Sequence, residues 1–409
     1  MQNNYLKNKN PLLYKICAAF LACIIILNGN SIFTTIPNKS TRYFNILFIL
    51  FVVFIGISLG LVKISRASLK TNIVWILVLF IYNLCLILKP ENISDALYIL
   101  KLDIILVLSF VYFKLCCDGR QLPQVLKYYT DIMTILGIIS LFFWIFGSAL
   151  HIISPDTSVL SNWSSFNGFA NNVPSYHNLY FEIQQNNGIF RNSSIFAEAP
   201  MASLHFSLAF TIETLFRIKD KRHYFRICIL FLSVLSTFSS TGYIVLVLIM
   251  MYKVLFSNII GRLKPIIIIV LLVIGVTLVG YIFSLKLDTE SGSIRLDDYK
   301  AAFSAWKDKP LLGWGFSSTE IRNYMSLWRG YNLGFSSTGV DIMAHNGIYG
   351  IIPYIIFLLH GIKRNLNKKN MLFFILIVLF LMLTTLFTNT FLLFNLMAFL
   401  FYVSPNNEK

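Results

Sequence analysis

Acidic side chains are scarce in this 409-residue chain: 18 Asp and Glu stand against 34 Lys and Arg, and only 13% of residues are charged. A soluble domain is about a quarter charged, so water is excluded as the main solvent of a chain that is 56% hydrophobic. Cysteine is also sparse. Cys17, Cys23, Cys85, Cys116, Cys117 and Cys228 all lie in or at the ends of apolar runs. That placement excludes a disulfide framework and offers no metal-ligand spacing, and no cofactor is expected. Internal repeats and low-complexity tracts are missing. So is a pair of Pro/Gly-interrupted spans at matched positions in the two halves, which argues against a repeat-built transporter. Phe20-Leu21-Ala22-Cys23 faintly resembles a lipoprotein cleavage site, but the apolar run continues past Cys23 and reads as an uncleaved first span.

What the chain has instead is a succession of continuous apolar runs of about 17–24 residues, the length of membrane-crossing helices. In lipid every backbone amide needs an internal partner, which leaves helices or a closed barrel. Barrel strands are shorter and alternate, so helices are expected. Spans are read near 12–27, 44–62, 72–88, 93–115, 128–150, 197–216, 224–238, 241–257, 265–284, 346–360, 371–387 and 390–403. The last two come from one 33-residue apolar run, about 50 Å as helix and too long for one crossing. Thr388-Asn389-Thr390 is its polar break. The fold class expected is therefore all-α: a polytopic integral membrane protein of about 12 transmembrane helices, residues 1–409 forming a single transmembrane domain.

The net charge of +16 would suggest nucleic acid on a soluble protein. Here the cations sit in short loops between apolar runs, as topology determinants do, and no nucleic-acid partner is expected. With the N-terminus inside, 22 of the 34 Lys and Arg fall on the inside and 11 outside, seven of them in one long loop. Both termini then read as cytoplasmic, in a multi-pass protein of the cytoplasmic membrane with the lipid bilayer as its obligatory partner. Residues 151–196 and 285–345 become two long extracytoplasmic loops, polar and aromatic, and long loops on a scaffold concentrate function.

Three constellations could carry chemistry. Gly188 to Pro200 closes the first loop and opens a span. Pro200 suits the first turn of a helix and Glu198 faces its positive end. Glu198 reads equally as a helix-start residue or as a functional carboxylate. Arg191 is the one Lys or Arg of 151–196, and a lone cation beside a lone carboxylate at the membrane surface suits an anionic headgroup. Next come Gly292-Ser293-Ile294-Arg295, Trp306 and Pro310-Leu311-Leu312-Gly313-Trp314-Gly315. Arg295 can hold phosphate oxygens bidentately. Residues 296–307 form an amphipathic stretch able to lie on the membrane, with Tyr299, Phe303 and Trp306 as interfacial anchors. Gly313 and Gly315 permit close backbone approach. The third is Asp341 to Gly350, with His345-Asn346 and Gly347-Ile348-Tyr349-Gly350. His345 reads as an interfacial residue or a catalyst. Arg322 and Arg329 in the same loop read as further phosphate contacts or as solvated charges, and His151 and His177 rank below them. Within spans, Lys101 and Asp103 read as a structural pair, while Asp131 and Glu213 are close enough to a span end to snorkel.

Taken in order, these stretches are similar to a known family. Arg191-Asn192-x-x-Ile195-Phe196-x-Glu198-x-Pro200 resembles the "RN-x-G-I-F-x-E-P" stretch of the Wzy-type O-antigen and capsule polymerases, which share a superfamily with the O-antigen ligases. Ser239-Ser240-Thr241-Gly242 resembles their "S-x-T/S-G" turn. Ser293-x-Arg295 with Pro310-x-x-Gly313-x-Gly315 resembles their "G-R…P-x-x-G-x-G" loop, and Gly347-Ile348-x-Gly350 their "G-I-x-G". Two departures stand out. Ala199 separates Glu198 from Pro200, where the family often has Glu-Pro adjacent. The family's His-Asn usually stands further ahead of "G-I-x-G", where this chain has Ser336, Ser337 and Thr338.

The resemblance implies a GT-C-like glycosyltransferase using a lipid-diphosphate-linked donor. Its substrate would be an undecaprenyl-diphosphate-linked oligosaccharide repeat unit, joined into a capsule, exopolysaccharide or O-antigen at the outer face of the cytoplasmic membrane. A chain-length regulator and a flippase are the partners it implies. Arg191, Arg295 and Arg322 would hold the diphosphate. Glu198 or His345 would be the base. Pro310, Gly313, Gly315, Gly347 and Gly350 would shape the loops. A ligase moving glycan to another acceptor, or a polysaccharide flippase or transporter, are the alternatives.

Overall fold

The computed structural model describes residues 10–62, 93–166, 169–186, 188–256, 290–316, 318–329 and 333–405, with scattered positions between 78 and 86 and between 265 and 280. The expected spans 72–88 and 265–284 lie largely outside the described residues.

The chain is mostly helical. Its described helices are α1 (Pro11–Asn28), α2 (Ser40–Leu61), α3 (Ile93–Cys116), α4 (Gln124–Phe143), α5 (Ala199–Phe216), α6 (His223–Ser236), α7 (Ser240–Leu255), α8 (Glu290–Asp308), α9 (Thr338–Arg364), α10 (Lys369–Thr384) and α11 (Phe391–Tyr402). Five are long and apolar enough to cross a membrane; they include α4, which a π-helical turn at Trp144–Ala149 extends. Shorter apolar helices are α6, α7, α10 and α11. The outer faces of the long and short apolar helices expose large apolar side chains such as Phe20, Ile49, Val53, Ile135 and Leu376, a surface that lipid, not water, accommodates.

Helix α5 runs through the interior. Fifteen of its residues, Ala199 to Leu215, are buried, and it packs against α4, α6, α7 and α10. A helix enclosed all round has no lipid face to dictate an apolar stripe, so His205, Ser203, Ser207 and Thr211 are tolerated inside. Small residues permit close approach: a Cβ at Gly242 of α7 would lie 2.3 Å from Ser203 Oγ of α5. Helix α11 is the second enclosed helix, buried from Phe391 to Leu400 and packed on α3, α9 and α1. The apolar run that supplies α10 and α11 does break between them, with Asn389 at a positive φ of 59°.

Four findings depart from the sequence reading. The first long loop of the expected all-α fold carries strands: β1 (Thr157–Phe166) pairs antiparallel with β2 (Phe169–Tyr176), which pairs with β3 (Tyr180–Phe181), and β4 (Gln185–Asn186) pairs with β5 (Ile189–Phe190). The sequence between β1 and β2 is Asn167-Gly168, the dipeptide that two-residue hairpins favour. Second, α9 begins at Thr338, eight residues before the expected span, because its first turns are too polar for an apolar-run reading. Third, Lys101 and Asp103 do not pair: Lys101 Nζ donates to Asn45 Oδ1 at 2.8 Å and Asp103 Oδ1 accepts from Asn83. Two residues apart on a helix point to different sides. Fourth, Glu213 does not snorkel. It is fully buried, 2.7 Å from Arg226 Nε and 3.0 Å from His223 Nδ1, with Arg217 bridging to Asp131 at 2.8 Å.

Candidate functional site

The segment that closes the first loop is held by its neighbours before it presents any side chain. Asn192 is fully buried, its amide donating to Ser140 Oγ of α4 (3.2 Å) and Ser236 Oγ of α6 (2.9 Å). Ile32 N donates to Ile195 O and Ala197 N to Asn30 O, both at 2.9 Å, which pins the next residues to the α1–α2 connection. Between these anchors the Arg191 guanidinium donates from Nε to Thr237 O at 3.0 Å and from Nη1 to Gln184 Oε1 at 3.1 Å. The same Gln184 oxygen accepts from Ala199 N at 3.3 Å, at the first residue of α5. One glutamine thus fixes both the guanidinium and the start of the helix.

Glu198 occupies the cap position of α5 with extended backbone (φ −161°, ψ 161°), and its side chain makes no capping bond. The carboxyl is therefore not spent on capping the helix N–H groups. Arg295, on α8, donates from Nη1 to Thr384 O, the last residue of α10, at 3.1 Å. The structure brings Arg191, Arg295 and Glu198 together electrostatically: each arginine's charge acts on the Glu198 carboxyl, and the two arginines repel each other. Burial pushes the Glu198 carboxyl above its ordinary value, while the Trp163 indole and the two guanidiniums pull it partly back. Burial and the Arg295 charge lower Arg191, against the attraction of Glu198 and Tyr243. Two guanidiniums from separate segments thus act on one half-buried carboxyl, Arg191 anchored through Nε and Nη1 and Arg295 through Nη1.

The other sequence candidates form a second unit built from backbone. Gly347 has φ 61° and ψ −160°, a break inside α9, in a region that glycine alone visits readily. Breaking a helix orphans carbonyls before the break and N–H groups after it, and the Pro310–Gly315 loop supplies both partners. Trp314 N donates to Ala344 O at 3.0 Å and Gly315 N to His345 O at 2.7 Å. Ile348 N donates to Pro310 O at 2.9 Å and Tyr349 N to Leu311 O at 3.0 Å. A Cβ at Gly313 would lie 2.5 Å from His345 C and O, and one at Gly347 2.5 Å from Leu311 O. At Gly350 the Asn346 side chain fills the space instead. His345 sits at this break, with Nδ1 3.0 Å from Asp341 O and 3.1 Å from Asp341 Oδ1. It belongs to a cluster distinct from that of Glu198.

Arg322 is exposed on the 3-10 helix Thr319–Tyr324 and forms no ion pair among the described residues. Arg329 is neither a solvated charge nor free for phosphate. Its side chain is fully buried, with Nη1 2.6 Å from Asp298 Oδ1 and 3.3 Å from Asp297 Oδ2, clamping the second loop onto α8. Tyr299 and Phe303 line the exposed side of α8.

Trp163, which hydrogen-bonds the Glu198 carboxyl, also lines a cavity of about 420 Å³. Asn28, Asn45, Asn389, Tyr98, Lys101 and Trp163 are among its walls. Sequence reading missed this cavity, and also Gln184 and Trp163. Its signal was present in part: asparagines and threonines recur at span ends facing the long loops, at Asn28, Asn30, Thr34 and Thr35, and again at Thr388-Asn389-Thr390.

Residues 226–355 match the family model described as O-antigen ligase. The chain is thereby consistent with membership of the O-antigen ligase/polymerase superfamily. The O-antigen-ligase-like stretch runs from α6 into α9 and contains Arg295, the Pro310–Gly315 loop and the α9 break. Arg191 and Glu198 lie before it, joined to it by Thr237 O and by the shared field of Arg295. No curated protein matches the chain.

Proposed function

We propose that the chain is a glycosyltransferase that joins undecaprenyl-diphosphate-linked oligosaccharide repeat units into a surface polysaccharide at the outer face of the cytoplasmic membrane. The reading is supported by two guanidiniums on separate segments, Arg191 anchored to Thr237 O and Arg295 to Thr384 O, whose charges both act on the Glu198 carboxyl. In the reaction the acceptor hydroxyl gives its proton to Glu198 and attacks the anomeric carbon of the donor. The bond from that carbon to the lipid diphosphate breaks as the new glycosidic bond forms, and the departing diphosphate carries the bonding pair. Negative charge grows on the leaving oxygen, where preorganised cationic donors act most strongly. Arg191 and Arg295 are suited to that task because each is oriented by a backbone carbonyl acceptor and keeps other N–H groups for a ligand.

The test is in cells. Arg191→Ala or Arg295→Ala should abolish long glycan and leave single lipid-linked units to accumulate. Arg→Lys at either position should still impair the reaction, since an ammonium cannot grip phosphate bidentately. Unchanged glycan length and yield in both alanine variants would sink the reading.

A second reading, transfer to an acceptor other than a further repeat unit, is favoured by the description of the matched family model as O-antigen ligase. Purified protein supplied only with lipid-linked repeat units separates the two: a ladder of lipid-linked products means polymerisation, and its absence together with transfer to another acceptor means ligation.

A further inference from the structure

The cavity beside Trp163 has a chemistry that the diphosphate site does not explain. Its walls carry amide side chains at Asn28, Asn45 and Asn389, and the aromatic rings of Phe44, Tyr98 and Trp163. Amides both donate and accept, which suits a ring of sugar hydroxyls, and aromatic faces suit the apolar C–H faces between them. The volume of about 420 Å³ lies in the range of small-molecule sites, roughly 300–1,000 Å³.

One wall residue breaks the neutral pattern. Lys101 is eight residues into α3 from its start at Ile93, about 12 Å below the end of the helix. Its Nζ bonds the Asn45 amide oxygen at 2.8 Å, and it forms no ion pair with a carboxylate among the described residues. A lysine at that depth is costly and calls for an anionic counterpart or a role. Asp103, the nearest acid along α3, faces Asn83.

We propose that this cavity is a saccharide subsite for an acidic sugar of the glycan, with an anionic group of the sugar (a hexuronate carboxylate or a phosphate substituent) paired to Lys101. This deepens the transferase reading and rests on it only for the origin of the glycan. Its position fits: Trp163 both lines the cavity and hydrogen-bonds Glu198, and the backbone oxygen of Asn30, another wall residue, accepts from Ala197 N one residue before Glu198. A sugar seated there would be held next to the carboxyl proposed as base.

The experiment uses oligosaccharides released by partial hydrolysis from the surface glycan of cells that carry the protein, titrated into the purified full-length chain in nanodiscs. Binding is followed by tryptophan fluorescence. Native oligosaccharide should bind at least tenfold more tightly than the same material after carboxyl reduction or, if the anion is phosphate, after dephosphorylation; the treatment that removes the preference identifies the anion. Lys101→Gln should bring the ratio between native and treated material close to one, whereas Lys101→Arg should keep the preference. A wholly neutral repeat unit, or equal affinity of the wild-type protein for native and treated material, overturns the proposal. The transferase reading fails separately, on unaltered glycan in the Arg191→Ala and Arg295→Ala variants.

Discussion

In the proposed reaction, Glu198 is the residue on which the chemistry turns. Its side chain leaves the end of α5 uncapped, and burial raises its proton affinity against the pull of two guanidiniums. A base works only when ionised. The transfer rate should therefore fall as pH drops through the raised pKa, with an acid-side inflection above 4.5, the ordinary glutamate value. Glu198→Gln should remove that limb and slow transfer by about 10²- to 10⁴-fold, the usual size of general-base effects, measured as lipid-linked product per unit time. His345 is oriented by Asp341 and is the competing base. If His345→Ala abolishes the acid limb and Glu198→Gln leaves it, the roles are reversed. Either arginine changed to alanine should cost about 10²- to 10³-fold, as removal of one preorganised donor commonly does.

Among the elements, the broken α9 and the Pro310–Gly315 loop depend on each other. Four backbone hydrogen bonds span the break, and there is no room for a Cβ at Gly313 or Gly347. Gly347→Ala should destabilise by about 1–3 kcal/mol from backbone strain alone, and by more from contact with Leu311. The measurement is a thermal unfolding midpoint in detergent. Gly313→Ala damages the same interface, so the double variant should lose less than the sum of the two singles. The second loop has its own clamp in Arg329 and Asp298, both with fully buried side chains. Removing one partner of a buried pair costs about 3–5 kcal/mol when the other charge is stranded; here Arg329 would keep its longer 3.3 Å contact with Asp297, so a cost at the lower end is expected. Asp298→Ala should therefore lower the unfolding midpoint sharply, while Arg322→Ala, at an exposed turn, should not.

Across the molecule, both arginines, Glu198, the α9 break and the saccharide-like cavity gather at the loop-bearing end of the helices, and the buried Glu213–Arg226–Arg217 network staples the other. On the proposed orientation the first end is outside. Leu327, fully exposed in the second loop, and Leu366, 62% exposed between α9 and α10, are probes of opposite ends. Leu327→Cys in intact cells should react with a membrane-impermeant maleimide, and Leu366→Cys should react only after the membrane is opened. The reverse pattern would place the site on the cytoplasmic face and remove its substrate.

Lipid as solvent, the helical character of the chain and the breaks between most helices were legible in order along the chain, because the energy that sets them is local: each apolar run must satisfy its own amides and match the bilayer. The backbone role of the Pro310–Gly315 and Gly347 motifs was legible in part, since glycine marks positions where backbone comes close or φ is positive, whereas each motif by itself is short and degenerate. The fate of each charge was not legible. Arg322 and Arg329 look alike along the loop, yet one is exposed and the other buried against Asp298. Lys101 and Asp103 look like partners, yet helical geometry turns them apart. Nor could spacing reveal that Gln184 serves both Arg191 and the start of α5, or that asparagines from three separate connections enclose one cavity. Those outcomes depend on which segments meet in space, and long-range packing alone brings them into contact.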